Sequence, residues 1–317
     1  MTKIALLILY NHRYDKNIER LETLYKGKFS YIFHLMPFYD GDKENVIPVY
    51  ESSYYFQSYI AQAYHHIKKM NFTHYFVVAD DMILNPQITE NNIFDFTGIG
   101  TTNCFINDIR EIYDYLNLRP VFKRYHIEQK GVEVNRILPS REEAIQIFEQ
   151  HHLRTNDIDR DYLISCLKLM IKQKRLRASI SVLQDLFQKN ARKINYPLLW
   201  GYSDILLITQ EVMPKFVTYC GAFAATNLFV EYAIPTSLVL SAKSLITSKQ
   251  LSIKGITQLY SLKKAKESSA LCRLKQDHTV ITKEDFDKNY QYSLQKLLED
   301  FPKETFFVHP IKLSQWK

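Results

Sequence analysis

Glycine is scarce in this chain, eight residues in 317. Neither a G-x-x-x-x-G-K-[ST] phosphate loop nor a G-x-G-x-x-G fingerprint occurs, so a P-loop ATPase and a standard dinucleotide dehydrogenase lose their main support. The same shortage argues against repeats and flexible linkers. Cysteine is also sparse. Cys104, Cys166, Cys220 and Cys272 lie far apart with no C-x-x-C pair, which disfavours a zinc knuckle or redox motif and fits a reducing cytoplasm better than a disulfide framework. Long hydrophobic runs are missing. The longest apolar region, 222–240, is interrupted by Glu231 and Pro235, so no spanning helix is expected. The short apolar run that follows Met1-Thr2-Lys3 has the wrong length and flanks for a signal peptide. Acidic residues are in mild deficit, 34 against 41 Lys and Arg, a net charge of +7. That suits an anionic substrate, an anionic membrane surface or nucleic acid, and selects none of them. What is plentiful is apolar and aromatic: 46% hydrophobic residues, 22 Tyr and 19 Phe, enough to pack one large domain or a core with an insertion.

The most informative stretch is His74-Tyr75-Phe76-Val77-Val78-Ala79-Asp80-Asp81-Met82-Ile83-Leu84-Asn85-Pro86. Its β-branched apolar run reads as a fully buried strand. Two carboxylates at its end are costly to bury unpaired, and sit better at the exposed tip where open α/β sheets bind ligands. There they suit a hard cation bridging to a diphosphate. The plainer reading is that Asp80 and Asp81 cap the next turn.

The surrounding order favours the first reading. Residues 4–10 form a strand, and Ile18, Leu21, Leu24 and Tyr25 a short amphipathic helix. Residues 29–36 form a second strand, ended by Pro37 and followed by an Asp40-Gly41-Asp42 turn. Phe56, Tyr59, Ile60, Ala63, Tyr64 and Ile67 recur at helical spacing and lead into the strand at Thr73. Strand–helix–strand–helix–strand implies a parallel sheet with right-handed crossovers. Residues 98–122 are mixed, and 122–138 suggest a hairpin. Residues 141–188 suggest three helices, an inserted helical subdomain carrying the basic run Lys172-Gln173-Lys174-Arg175-Leu176-Arg177. That run is either a solvated helix face or a contact for an anionic membrane or a phosphate-bearing acceptor. The α/β pattern resumes at 196–204, with a strand over 205–208 and a helix over 212–219. A second helix is expected over 222–232, after Gly221, with Asn227 and Glu231 on one face. Residues 236–246 are ambiguous between helix and strand. Thr282-x-x-Asp285 suggests a capping box before a helix with Phe286, Tyr290, Leu294 and Leu297, and a short strand ends at His309. The expected division is 1–100 for a nucleotide-binding half, 101–194 for a largely helical insertion and 195–317 for an acceptor-side half.

This order of parts resembles the nucleotide-sugar-dependent glycosyltransferases of the GT-A fold, of the bacterial surface-polysaccharide type. The likeness covers roughly 1–100, 195–240 and the extreme C-terminus. It rests on the strand and polar loop Leu9-Tyr10-Asn11-His12-Arg13, on Asp40 and Asp42 after the second strand, and on Asp80-Asp81 with Met82-Ile83-Leu84-Asn85-Pro86. Gly201, Glu231 and His309 follow in the family's order. The resemblance implies a GT-A-like, Rossmann-type mixed α/β sheet flanked by helices, with the helical insertion outside the common core. It implies a nucleotide-sugar donor held by Asn11, His12, Arg13, Asp40, Asp42, Asp80, Gly201 and Lys312. It also implies a divalent metal, Mn²⁺ or Mg²⁺, on Asp80, Asp81 and His309. The first acid of a full Asp-x-Asp is replaced by Ala79, so the metal would rest on Asp81 with His309 or be dispensed with.

Glycosyl transfer builds negative charge on the leaving phosphate, which a cation or basic group stabilises. An inverting enzyme needs a general base for the acceptor hydroxyl, here Glu231 first and Asp204 second, whereas a retaining one can use a carboxylate as nucleophile. The expected acceptor is a saccharide or lipid-linked saccharide, as in lipopolysaccharide or capsule biosynthesis. The expected location is cytoplasmic, with peripheral contact at the inner membrane face as an option. A metal-dependent nucleotidyltransferase is the related alternative, although 11–13 lack the glycine-rich basic loop of that class. A nucleic-acid or membrane-surface binding protein is the non-enzyme alternative. Nucleic acid is disfavoured because the basic residues are not interleaved with aromatics on strands.

Overall fold

The structure, a computed structural model, describes residues 2–111, 134–154, 160–172, 174, 176–187, 196–257 and 283–317. In chain order the first elements are β1 (Ile4–Leu9), α1 (Asp15–Tyr25), β2 (Tyr31–Pro37), β3 (Val46–Val49), α2 (Phe56–Ile67), β4 (His74–Ala79), β5 (Ile83–Leu84), α3 (Ile93–Thr97) and β6 (Cys104–Glu111). Then come α4 (Val134–Ile137), α5 (Arg141–Gln150), α6 (Arg160–Lys172), α7 (Leu176–Phe187), β7 (Leu199–Thr209), α8 (Met213–Ala225), α9 (Val230–Ser241), β8 (Leu245–Ile246) and β9 (Lys254–Ile256). The last are α10 (Lys283–Tyr290), α11 (Leu294–Glu299) and β10 (Thr305–Val308).

The α/β class expected from the sequence is found. One mixed sheet of seven strands has the order β3-β2-β1-β4-β7-β6-β8, and a small sheet has the order β5-β10-β9. In the large sheet β7 alone runs against its neighbours β4 and β6. The interior strand β1 has no exposed residue because cores cover both faces of the sheet. Ala5, Leu7 and Leu9 point into a core closed by α2, α8 and α9. Ile4, Leu6 and Ile8 point into a second core with α1 and the small sheet. Each of these large aliphatic side chains contributes about 1.5–3 kcal/mol when fully buried.

Several expectations are corrected. The strand read before the two acids stands as β4, ending at Ala79, but the apolar residues after them do not rejoin it: the Asp80-Asp81 turn sends β5 into the other sheet. Strands β3 and β6 were not anticipated, and β6 lies in the large sheet although 101–194 reads as helical. The three helices expected over 141–188 are present as α5, α6 and α7. Gly221 does not separate two helices; it lies inside α8, and the break comes at Asn227. There Leu228 N–H donates to Phe223 O and Asn227 N–H to Ala224 O, a Schellman ending with Asn227 left-handed at φ 56°. Asn227 and Glu231 therefore share no helix face. Residues 236–246 divide between α9 and β8. The helix expected over 286–297 is two, α10 and α11, parted by left-handed Gln291 and Tyr292. Most of the expected 122–138 hairpin lies outside the described residues, and its described end is helical α4; of the expected Thr282–Asp285 cap, Thr282 lies outside them.

His34 on β2 is wholly buried. Tyr10 Oη lies 2.8 Å from its Nδ1, while Nε2 has no hydrogen-bond partner and stands 3.7 Å from a Glu22 carboxylate oxygen. Burial lowers its pKa from 6.5 to about 4, with Glu22 opposing. Between those values the unfolded chain holds a proton that folded His34 refuses, so stability falls as pH drops through the window. The expected loss is about 3 kcal/mol between pH 6.5 and 4. Urea unfolding of the native chain and of His34→Gln across that range checks it, because the variant's slope should be visibly shallower.

Candidate active site

The two carboxylates after β4 face different surroundings. Asp80 is 5% exposed and looks toward the β1–α1 loop. Its Oδ1 accepts the Asn11 N–H at 3.3 Å, and the Asn17 side chain also bonds it. Burial, then the neighbouring Asp81 charge, raises the Asp80 pKa to about 7 against these bonds. Asp80 therefore fastens a loop. Asp81 has a side chain 27% exposed, and its Oδ1 lies 3.1 Å from His309 Nε2.

That contact is made by the small sheet. β5 pairs antiparallel with β10, Leu84 opposite Phe307 and Ile83 opposite Val308, so the residue after β10 lies beside the residues before β5. The backbone is tied on both sides, because Ile311 N–H donates to Asp81 O and His309 N–H to Ile256 O. His309 Nδ1 lies 3.3 Å from Thr257 O. A proton on Nδ1 turned to that carbonyl leaves Nε2 to face Asp81.

β7 supplies the opposite wall. The pairing of β7 with β6 shifts register between Tyr202 and Leu206, and there Tyr202, packed on the small-sheet core, stands within reach of the Asp204 charge. Val78 pairs with Ile205, which sets Asp204 beside the exit of β4. Asp204 Oδ2 is 4.0 Å from His309 Nε2, and the Tyr202 ring meets His309 edge-on at 5.8 Å. Asp204 belongs to the strand, which begins at Leu199, not to a segment preceding it. α9 adds Glu231 from its first turn, where Trp200 Nε1 donates to Glu231 Oε2 at 3.0 Å.

Asp81, Asp204 and His309 thus converge from three separate segments and sense one another, and Glu231, from a fourth, acts on Asp204. Burial disfavours charge on His309, but the hydrogen bond and charge of Asp81, then Asp204, outweigh it and raise the imidazolium pKa to about 9. Burial pushes Asp204 up to about 6; Asp81 and Glu231 add to this and His309 opposes it. One cation among three carboxylates leaves room for more positive charge. Among the described residues no group of three or more His, Cys, Asp or Glu is set to cage a metal. The Asp81–His309 pair instead offers two donors of mixed type. A ligating histidine ordinarily turns its other nitrogen to a carbonyl, as His309 does to Thr257. A Mg²⁺-like ion needs only one or two protein carboxylates when a substrate phosphate and water complete its shell.

The other expected site residues divide. Gly201 lies on the opposite face of β7, where a Cβ would stand 2.4 Å from Asp108 O and 3.0 Å from Pro235 Cβ. The missing side chain lets α9 and β6 approach here. Arg13 is not free for a phosphate, because it pairs with Asp15 and Asp40 and donates to Phe38 O, tying the loops after β1 and β2 together. That pairing holds the exposed Asp40 carboxyl below its ordinary range. His12 and Asp42 are exposed near these loops, and Asn11 contributes its backbone N–H to Asp80. Lys312 is exposed three residues beyond His309.

Sequence reading missed an aromatic pair at the same sheet edge. Exposed Phe38 and Tyr50 follow β2 and β3 directly and meet at 6.0 Å between ring centroids. Phe38 has φ 52°, unusual for a bulky residue. Large aromatics straight after two strand ends were the available signal. The chain matches no protein-family model and no curated protein.

Proposed function

We propose that this protein is a nucleotide-sugar-dependent glycosyltransferase with a GT-A arrangement. The observation that carries the proposal is the convergence of Asp81 and His309, just past the ends of β4 and β10, with Asp204 from the middle of β7 and Glu231 from the first turn of α9. Support also comes from the sheet, in which four parallel strands end beside a reversed β7. The Phe38–Tyr50 pair lies at the edge where a base would rest, and flat rings suit stacking.

In this reading the donor's diphosphate lies against Asp81 and His309, and Asp80 keeps the β1–α1 loop in place. A divalent cation, when bound, would be held by Asp81 and His309 and would supply positive charge to the leaving phosphate. His309 also brings charge of its own when protonated. Glu231 takes the proton of the acceptor hydroxyl, its carboxylate aimed by the Trp200 indole. Asp204, with its raised pKa, is the neighbouring group through which Glu231 and His309 influence each other. The acceptor is proposed to be a saccharide, free or lipid-linked.

A thermal-shift screen against nucleotides and nucleotide sugars, with and without Mn²⁺, tests the reading. Ligands that bind only the folded chain stabilise it by mass action, roughly 2.7 kcal/mol at a hundred times Kd. One nucleotide sugar should raise the melting temperature above all others, and His309→Ala should erase that shift. A screen in which no nucleotide or nucleotide sugar stabilises the protein contradicts the proposal.

A further inference from the structure

Helices α6 and α7 form a hairpin that packs on itself. Leu163 and Cys166 of α6 meet Val182 of α7, joined by Leu167 and Leu186, in a small core separate from the two that sandwich the sheet. This leaves a second apolar face on α7 with no partner in that core. Leu176, Ile180, Leu183 and Phe187 are all exposed, Leu176 at 77% and Phe187 at 82%. At 3.6 residues per turn they fall within an arc of roughly 60°, a continuous stripe beside the face that packs on α6. Ile171, at the end of α6, is also exposed.

The same segment carries the chain's excess positive charge in sequence. Residues 160–193 hold nine Lys and Arg against two Asp, a net of +7 that equals the net charge of the whole chain. The rest of the protein is therefore neutral overall. Lys172 and Lys174 are exposed at the turn of the hairpin, and Arg175 and Arg177 adjoin them in sequence.

We propose that this hairpin seats the protein on an anionic phospholipid membrane surface. The Leu176–Phe187 stripe enters the interface, and the Lys/Arg cluster meets the lipid phosphates. An apolar stripe flanked by dense positive charge is the pattern of a helix lying in the interfacial plane. α7 has 12 residues, a length of roughly 18 Å, too short to cross the hydrocarbon layer. Among the described residues no helix is long and apolar enough to span it. The stripe tells against nucleic acid, which would leave three aliphatic side chains and a phenylalanine wet. Charge tells against a second copy of the chain, because pairing would bring together two segments that each carry a net +7 in sequence. The inference does not rest on the transferase reading.

The test is co-sedimentation with vesicles of phosphatidylcholine alone and of phosphatidylcholine mixed with phosphatidylglycerol. The protein should sediment with the mixed vesicles and not with the neutral ones. A chain carrying Leu176→Ser, Ile180→Ser, Leu183→Ser and Phe187→Ser should bind roughly tenfold more weakly or worse. A chain carrying Lys172→Gln, Lys174→Gln, Arg175→Gln and Arg177→Gln should lose roughly a hundredfold. Phe187→Trp, a single exposed change in an otherwise native chain, should gain a blue-shifted emission component on mixed vesicles that brominated lipid quenches. It decides the matter if the multiple variants fold poorly. Four results would overturn the proposal. These are no binding to mixed vesicles at low salt, full binding by the apolar variant, a Phe187→Trp signal that vesicles leave unchanged, or a dimer of the native chain that the apolar variant dissolves.

Discussion

Asp81→Ala is expected to lower sugar transfer by at least roughly a thousandfold while the chain stays folded. The fold should survive because the backbone carbonyl of residue 81, not its side chain, accepts the Ile311 N–H that holds the end of the chain. Removing the carboxylate leaves His309 half-enclosed without its nearest partner, and the ring answers by giving up its proton. Its pKa, about 9 with Asp81 present, should therefore fall. NMR titration of His309 gives a reading independent of turnover. Asp81→Asn should match Asp81→Ala in rate, since charge and not bulk is what the leaving phosphate and its cation require. Near-normal transfer by either variant with the true donor would remove the mechanism.

Glu231→Gln is expected to lower turnover by roughly a hundred- to ten-thousandfold and leave donor affinity nearly unchanged. The amide oxygen can still accept the Trp200 indole N–H, so the side chain keeps its place and loses only its basicity. The readout is the division between kcat and KM for the donor. A loss confined to donor binding would reassign Glu231 to the nucleotide. A large fall in turnover for Asp204→Asn with Glu231→Gln unaffected would move the base to Asp204.

Much of the first third of the fold was legible because hydrophobic period carries it. The unbroken apolar run of β4 and the helical stripe of α2 can be read from residues a few positions apart. β3 was hidden because Val46-Ile47-Pro48-Val49 is short and carries a proline, which an edge strand tolerates and a central strand does not. β6 was hidden by Asn107, Asp108, Arg110 and Glu111, polar residues in a strand that alternates burial only in part. The α8–α9 break was misplaced because glycine is the usual punctuation, whereas here Asn227 takes the left-handed position.

The candidate site was legible as residue types in order, not as contacts. Asp81, Asp204, Glu231 and His309 were all named, but their meeting depends on β5 pairing with β10 and on β7 running antiparallel to β4, neither of which has a local signature. The structural tasks of Asp80, Arg13 and Gly201 are not legible in the sequence for the same reason. A loop-fastening carboxylate, a loop-tying guanidinium and a glycine beneath a helix look like ligands until their neighbours are known.

The most direct measurement is a crystal soaked with Mn²⁺ and the nucleoside diphosphate that stabilises the protein best, read through the anomalous signal of manganese. The account predicts a manganese peak between Asp81 and His309, which now stand 3.1 Å apart, with the terminal phosphate of the nucleotide beside it. A nucleotide bound elsewhere, with the Asp81–His309 contact intact and no phosphate near it, would contradict the account.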